Sequence, residues 1–232
     1  MYREAFGEVI EIIIGSSKTK FIAIKQVICA RSKFVETACS ERWESGRTGT
    51  ITLEDQDPAI FSIWMSWLWF GSIDNAASLI DLNPTDKSQK EQPQLDQWEQ
   101  LAECYVLGDF LQAPEFCNAI MDSMLKNAEY YSREFRKLSG TDRQDIEYIW
   151  TNTVAGSPLR RLVLDNAADF QANMDNLKDS PPSYGLQQYF FDLASLVTSN
   201  RVQQVTALKP WKKDICATYH HHPGKPEGYA CI

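Results

Sequence analysis

Histidine is scarce in these 232 residues: there are three, and they are consecutive at His220, His221 and His222. No Ser/His/Asp or Cys/His arrangement can therefore be drawn from the rest of the chain, and no Gly-rich phosphate loop of either common form is present. Carboxylates do cluster at Glu54, Asp55 and Asp57. They fall where a strand gives way to a helix, and there they serve turns and caps. The expectation is a protein that is not an enzyme. Basic residues are also in deficit, with 23 Lys plus Arg against 31 Asp plus Glu and a formal charge of -8. That balance argues against a phosphate-neutralising surface, so no nucleic acid is expected as a partner. Lys209, Lys212 and Lys213 around Trp211 read as a solvated face. No apolar run approaches the roughly 18 residues of a membrane span. The richest, Ile60 to Phe70, is interrupted by Ser62 and Ser66. The first residues show no basic segment leading into an apolar run, so no membrane partner is expected, and the location is expected to be intracellular, cytoplasmic and/or nuclear. Six cysteines are too few and too scattered for a disulfide scaffold. Cys29, Cys39, Cys104 and Cys117 lie in apolar helical patterns and read as small core residues.

Hydrophobic residues make up 44% of the chain, enough to build a sizeable core. Val9 to Ile14 is nearly continuous Val and Ile, and Phe21 to Lys25 and Thr50 to Glu54 carry the same β-branched signature, which predicts three strands. Between the second and third lies a compact helical stretch. Asp57 is a candidate N-cap, Pro58 suits a first helical position and Gly71 suits a C-terminal stop, framing a helix over Ala59 to Phe70. Ile60, Trp64, Trp67 and Leu68 share its core face. Trp69 points away from them, either covered by a neighbouring helix, which is the preferred reading, or exposed as a partner surface. Asn83 to Gln94 contains no apolar residue and reads as a solvated insertion. Stripes at Trp98, Leu101, Ala102, Tyr105 and Val106, then at Cys117, Ile120, Met121, Met124 and Leu125, predict a helical hairpin.

Several of these segments are similar, in order, to the BTB/POZ domain. Phe21 to Lys25, Arg31-Ser32-Lys33-Phe34, Asp57 to Phe61 and Leu68 to Gly71 occupy the slots of its Phe-x-Val-His-Lys, Arg-Ser-x-x-Phe, Asp-x-x-x-Phe and Leu-Tyr-x-Gly segments, with Ile24 where the family has His. Tyr105 to Leu111 resembles its Tyr-x-Leu-Ala-Asp-x-Leu segment. The resemblance implies an α+β fold, a BTB/POZ domain over residues 1–128 in which a small mixed sheet is covered by helical hairpins, with a polar insertion at about 74–94. It implies a protein–protein interaction module: a substrate adaptor for a cullin-based ubiquitin ligase, or alternatively a homo-oligomerising scaffold or transcription-related protein without a ligase role. The expected partners are accordingly a cullin scaffold or a second copy of the chain. In the family, dimerisation by strand exchange uses residues upstream of the first core strand, where Met1 to Glu8 stand here.

Residues 129–209 continue as a helical extension, the second part of the expected fold. Ile146, Ile149, Trp150 and Val154 share one face; Ser157-Pro158 predicts a capped start for Leu159, Leu162 and Val163; Leu186, Tyr189, Phe190, Leu193, Leu196 and Val197 form a last stripe. Residues 210–232 form a Cys/His tail. Its Cys-x-x-Tyr-His-x-His pattern resembles BTB-like proteins of the fungal type. Cys216, His220, His222 and Cys231 are zinc-ligand types, close enough in sequence to wrap one tetrahedral structural ion. His220 and His222, two apart, point to one side only in an extended segment. The alternative is a tail that coordinates nothing.

Overall fold

A computed structural model describes residues 7–79, 93–126, 143–170, 183–203 and 214–223. The chain divides into two compact units, Met1–Asp81 with Glu103–Ala119, and Leu82–Ala102 with Ile120–Ile232. The architecture is mixed α+β, with one three-stranded sheet and ten helices among the described residues.

In the first unit, β1 (Val9–Ile14) pairs antiparallel with β2 (Thr19–Ile24) and parallel with β3 (Thr50–Leu53), giving the order β2-β1-β3. Alternation decides which face is covered. Ile10, Ile12 and Ile14 of β1 and Ile51 and Leu53 of β3 are buried, while Val9 and Ile22 stand in solvent. The strand expected to run to Lys25 stops one residue earlier. Lys25 opens α1 (Lys25–Cys29), its amide donating back to the Glu8 carbonyl. The helical stretch that follows is two helices, because Ser32 starts a new one, α2 (Lys33–Ala38). A further short helix, α3 (Glu44–Thr48), which the periodicity did not predict, ends on Gly49 in the left-handed region.

The Arg-Ser-x-x-Phe segment has a physical role here. The buried Ser32 hydroxyl accepts from Val35 N at 3.1 Å, capping α2, and donates to the Leu111 carbonyl at 2.6 Å. Lys33 N and Phe34 N donate to the carbonyls of Gln112 and Leu111, the Phe34 ring meets Phe110 at 4.8 Å, and the Arg31 guanidinium lies over Trp67. The start of α2 thereby satisfies the end of α5 (Pro93–Phe110), donors against acceptors that each helix would otherwise leave open.

Helix α4 (Pro58–Phe70) begins and ends as its sequence predicts. Asp57 Oδ1 accepts from Ala59 N and Ile60 N, Pro58 occupies the first turn, and Gly71 closes the helix at φ 69° with its amide on Trp67 O. Phe61 is fully buried between Phe21 of β2 and Trp64, with ring centroids 4.9 and 5.1 Å away. Trp67 packs on Phe116 of α6 (Pro114–Lys126). Where α5 and α6 meet in this unit, Gly108 faces Cys117, whose thiol donates to the Tyr105 carbonyl.

The described residues of the second unit are helical apart from short connections. α7 (Arg143–Asn152), α8 (Pro158–Phe170) and α9 (Tyr184–Gln203) bury Ile146, Ile149, Trp150, Leu159, Leu162, Val163, Leu186, Tyr189 and Leu193. Val154, expected on the buried stripe, is exposed because α7 stops at Asn152. Ser157 does not cap α8 through its side chain; its Oγ is buried and has no hydrogen-bond partner among the described residues. Arg160 takes over the neighbouring helix end. Its Nη2 donates to the Trp150 and Thr153 carbonyls and its Nε to Thr153 Oγ1, closing the C-terminus of α7. Burial lowers the Arg160 pKa, opposed by Asp192, which accepts from Trp150 Nε1 at 3.0 Å. Met121 and Met124 are fully buried, as expected of core residues.

Candidate metal centre and exposed aromatic surface

The described part of the tail, residues 214–223, opens with a short helix, α10 (Ile215–Tyr219), capped by Asp214, whose side chain accepts from Ala217 N. Helix α10 packs on α8. One side chain fixes that contact. Tyr219 is fully buried, and its hydroxyl donates to Asp165 Oδ2 at 2.8 Å; Asp165 also accepts from Arg161 Nε at 3.0 Å. Burial, then the Asp165 carboxylate, pushes the Tyr219 phenol far above its ordinary range.

After Tyr219 the backbone turns extended, with His220 at φ -94° and ψ 152°. An extended segment sends residues two apart to the same side, so His220 and His222 meet, ring centroids 6.0 Å apart. Cys216, one turn of α10 earlier, reaches the same place, its Sγ 3.2 Å from His222 Nε2. The donor atoms of Cys216, His220 and His222 all lie within 4.8 Å of one another, all three residues half-buried. This cluster could hold a metal ion, and it is the one such group among the described residues. His221 between them is exposed. Cys231, the fourth ligand expected from the sequence, lies outside the described residues, as do Lys209, Trp211, Lys212 and Lys213.

One residue of this neighbourhood carries no sequence signal. Asp122 of α6 lies 98 positions before His220, and its Oδ1 is 2.9 Å from His220 Nε2. The His220 side chain is only 6% exposed. Nothing in the local pattern around Asp122 distinguishes it from any other polar residue on the outer face of an amphipathic helix.

The first unit offers a different feature. Trp69 is 46% and Phe70 69% exposed at the end of α4, although Phe61, Ile63 and Trp64 of the same helix are fully buried. The expectation that a neighbouring helix covers Trp69 is therefore corrected: its side chain stands about half in solvent. Phe110, 41% exposed, packs against Phe34 in a tilted ring pair at the helix junction described above. The carboxylates Glu54 and Asp55 are exposed, and Asp57 is occupied by its cap. Cys39 is buried, and burial together with a hydrogen bond that its thiol donates to Cys29 pushes it up to about 12; burial drives Cys104 and Cys117 higher still. These thiols are protonated core groups rather than nucleophiles. No helix of the described residues is long and apolar enough to cross a membrane. No protein-family model matches the chain, and no curated protein matches it in sequence.

Proposed function

We propose that the chain is a non-enzymatic protein–protein interaction module of BTB/POZ type, acting as a substrate adaptor for a cullin-based ubiquitin ligase. The observation that carries the interaction reading is the exposed pair Trp69 and Phe70, since large aromatic rings left in solvent beside a closed core are the residues most enriched at binding hot spots. The BTB/POZ assignment rests on the order of motifs from Phe21 to Gly71, supported by the roles their residues play: Ser32 joins α2 to α5, and Phe61 seats α4 against β2. The second reading is a self-associating scaffold, to which the edge strand β2 with its exposed Ile22 would lend a surface.

Light scattering of the purified chain, combined with capture by a cullin N-terminal domain, separates the two. Binding to the cullin domain, lost in Trp69→Ala/Phe70→Ala, supports the adaptor; a concentration-dependent dimer with no cullin binding supports the scaffold. A monomer that captures no cullin removes both.

In the second unit, the ion that suits Cys216, His220 and His222 is zinc, in a structural role. A thiolate with two imidazoles is a donor set zinc favours over hard cations, and Cys231 would make a closed site of four. Elemental analysis of untagged protein purified without chelators tests this, and absence of stoichiometric zinc refutes it.

A further inference from the structure

We propose that Asp122 is a positioning residue of this metal site, and that the bound ion fastens the tail to α6. The inference rests on the zinc reading above and goes beyond it in assigning a partner from outside the Cys/His segment. A histidine that ligates a metal characteristically gives its other ring N–H to a carboxylate or carbonyl, which fixes the tautomer and raises the basicity of the ligating nitrogen. His220 shows that arrangement: its Nε2 lies 2.9 Å from Asp122 Oδ1, with the imidazole almost wholly shielded from water and the carboxylate largely open to it. With Nε2–H donated to the carboxylate, Nδ1 is the nitrogen carrying the lone pair.

The topology gives this contact its consequence. Between the ligands Cys216 and His220 sits Tyr219, anchored on Asp165 of α8, so the segment is held to α8 through a phenol and to α6 through His220. An ion that draws Cys216, His220 and His222 together orders the segment in the conformation in which His220 reaches Asp122. Docking of the tail and metal binding are therefore coupled, and each strengthens the other.

Zinc titration of the full chain in competition with a chelating dye measures the coupling, with Co²⁺ as a spectroscopic stand-in. The wild-type chain binds one equivalent, and its Co²⁺ form shows a thiolate-to-cobalt charge-transfer band that Cys216→Ser weakens and Cys216→Ser/Cys231→Ser abolishes. Asp122→Ala retains the band but weakens zinc binding by about 10- to 100-fold, and Asp122→Asn, which keeps an acceptor oxygen, recovers part of the loss. Because the Asp122 side chain is 59% exposed, both variants are expected to keep the wild-type circular dichroism spectrum. If Asp122→Ala binds zinc as tightly as wild type while Cys216→Ser does not, the role of Asp122 is wrong and the zinc reading survives. If the wild-type chain itself binds no equivalent of zinc, both fall.

Discussion

Replacing Gly108 by Ala should destabilise the first unit, against the usual direction of a Gly→Ala change inside a helix. Helix propensity alone would favour Ala by roughly 0.5–1 kcal/mol. A Cβ at Gly108, however, would lie 2.7 Å from Cys117 Sγ and 3.0 Å from Phe116 Cδ1. Non-bonded heavy atoms pack at about 3.5–4.0 Å, so the methyl intrudes by nearly 1 Å on a sulfur that has one torsion with which to move. That sulfur is also engaged with the Tyr105 carbonyl, and Phe116 is fully buried against Trp67. Overpacking of this kind costs about 1–3 kcal/mol, and against the propensity gain it leaves a net loss of up to about 2.5 kcal/mol. In a chain of this size, that corresponds to a fall in Tm of about 2–4 °C per kcal/mol. Urea unfolding followed by tryptophan fluorescence is the assay, since Trp67 packs on Phe116, one of the side chains the methyl meets. The decisive comparison is a double-mutant cycle with Cys117→Ala. Removing the sulfur makes room for the methyl, so the two substitutions should be less harmful together than their sum, by about 1–2 kcal/mol. A Gly108→Ala variant as stable as wild type, or a cycle additive to within about 0.3 kcal/mol, refutes the packing argument.

Two further outcomes test other parts of the fold. Arg160→Met should cost about 1–3 kcal/mol in urea unfolding, because the buried carbonyls of Trp150 and Thr153 lose their donor at the end of α7; an unchanged midpoint would show that the carbonyls find other partners. Stability should be level from pH 7 to about 8.5 and decline from about pH 9 upward. Burial holds the Cys39 thiol and the Tyr189 phenol up at about 12, against ordinary values of 9.0 and 10.0, so across that window the unfolded chain binds fewer protons than the native one and stability falls as pH rises. A urea midpoint that does not move between pH 8.5 and 10.5 contradicts the burial of these groups.

The parts of the fold that could be read from the sequence are those whose causes are local. Asp57, Pro58 and Gly71 act within one turn of the helix ends they specify, and the Val and Ile run of β1 needs only a covered face, so both elements fall where the pattern puts them. On α4 periodicity found the core face, with Ile60, Trp64 and Trp67 buried, but not whether Trp69 is covered. The residues of this helix are apolar on nearly every side, so no stripe contrast indicates which side is left open, and the exposure of Trp69 and Phe70 follows only from what packs around the helix. Helix α3 was unreadable because Glu44 to Thr48 has no apolar spacing at all, while the break between α1 and α2 rests on Ser32, whose hydroxyl is committed to a carbonyl 79 positions away.

The metal cluster divides along the same line. Ligand chemistry is a property of residue type, and spacing along an extended segment decides which ligands can converge, so Cys216, His220 and His222 were legible together. What holds them in place is a property of topology. Asp122 and Asp165 come from two different helices, and neither differs in its own surroundings from a solvated carboxylate on an amphipathic face. Only when α10 lies on α8 does Asp165 receive a buried phenol, and only when the segment beyond it runs extended does Asp122 meet an imidazole. A sequence can thus announce a set of candidate ligands while leaving silent the carboxylates packed beside them, Asp122 on His220 and Asp165 on Tyr219.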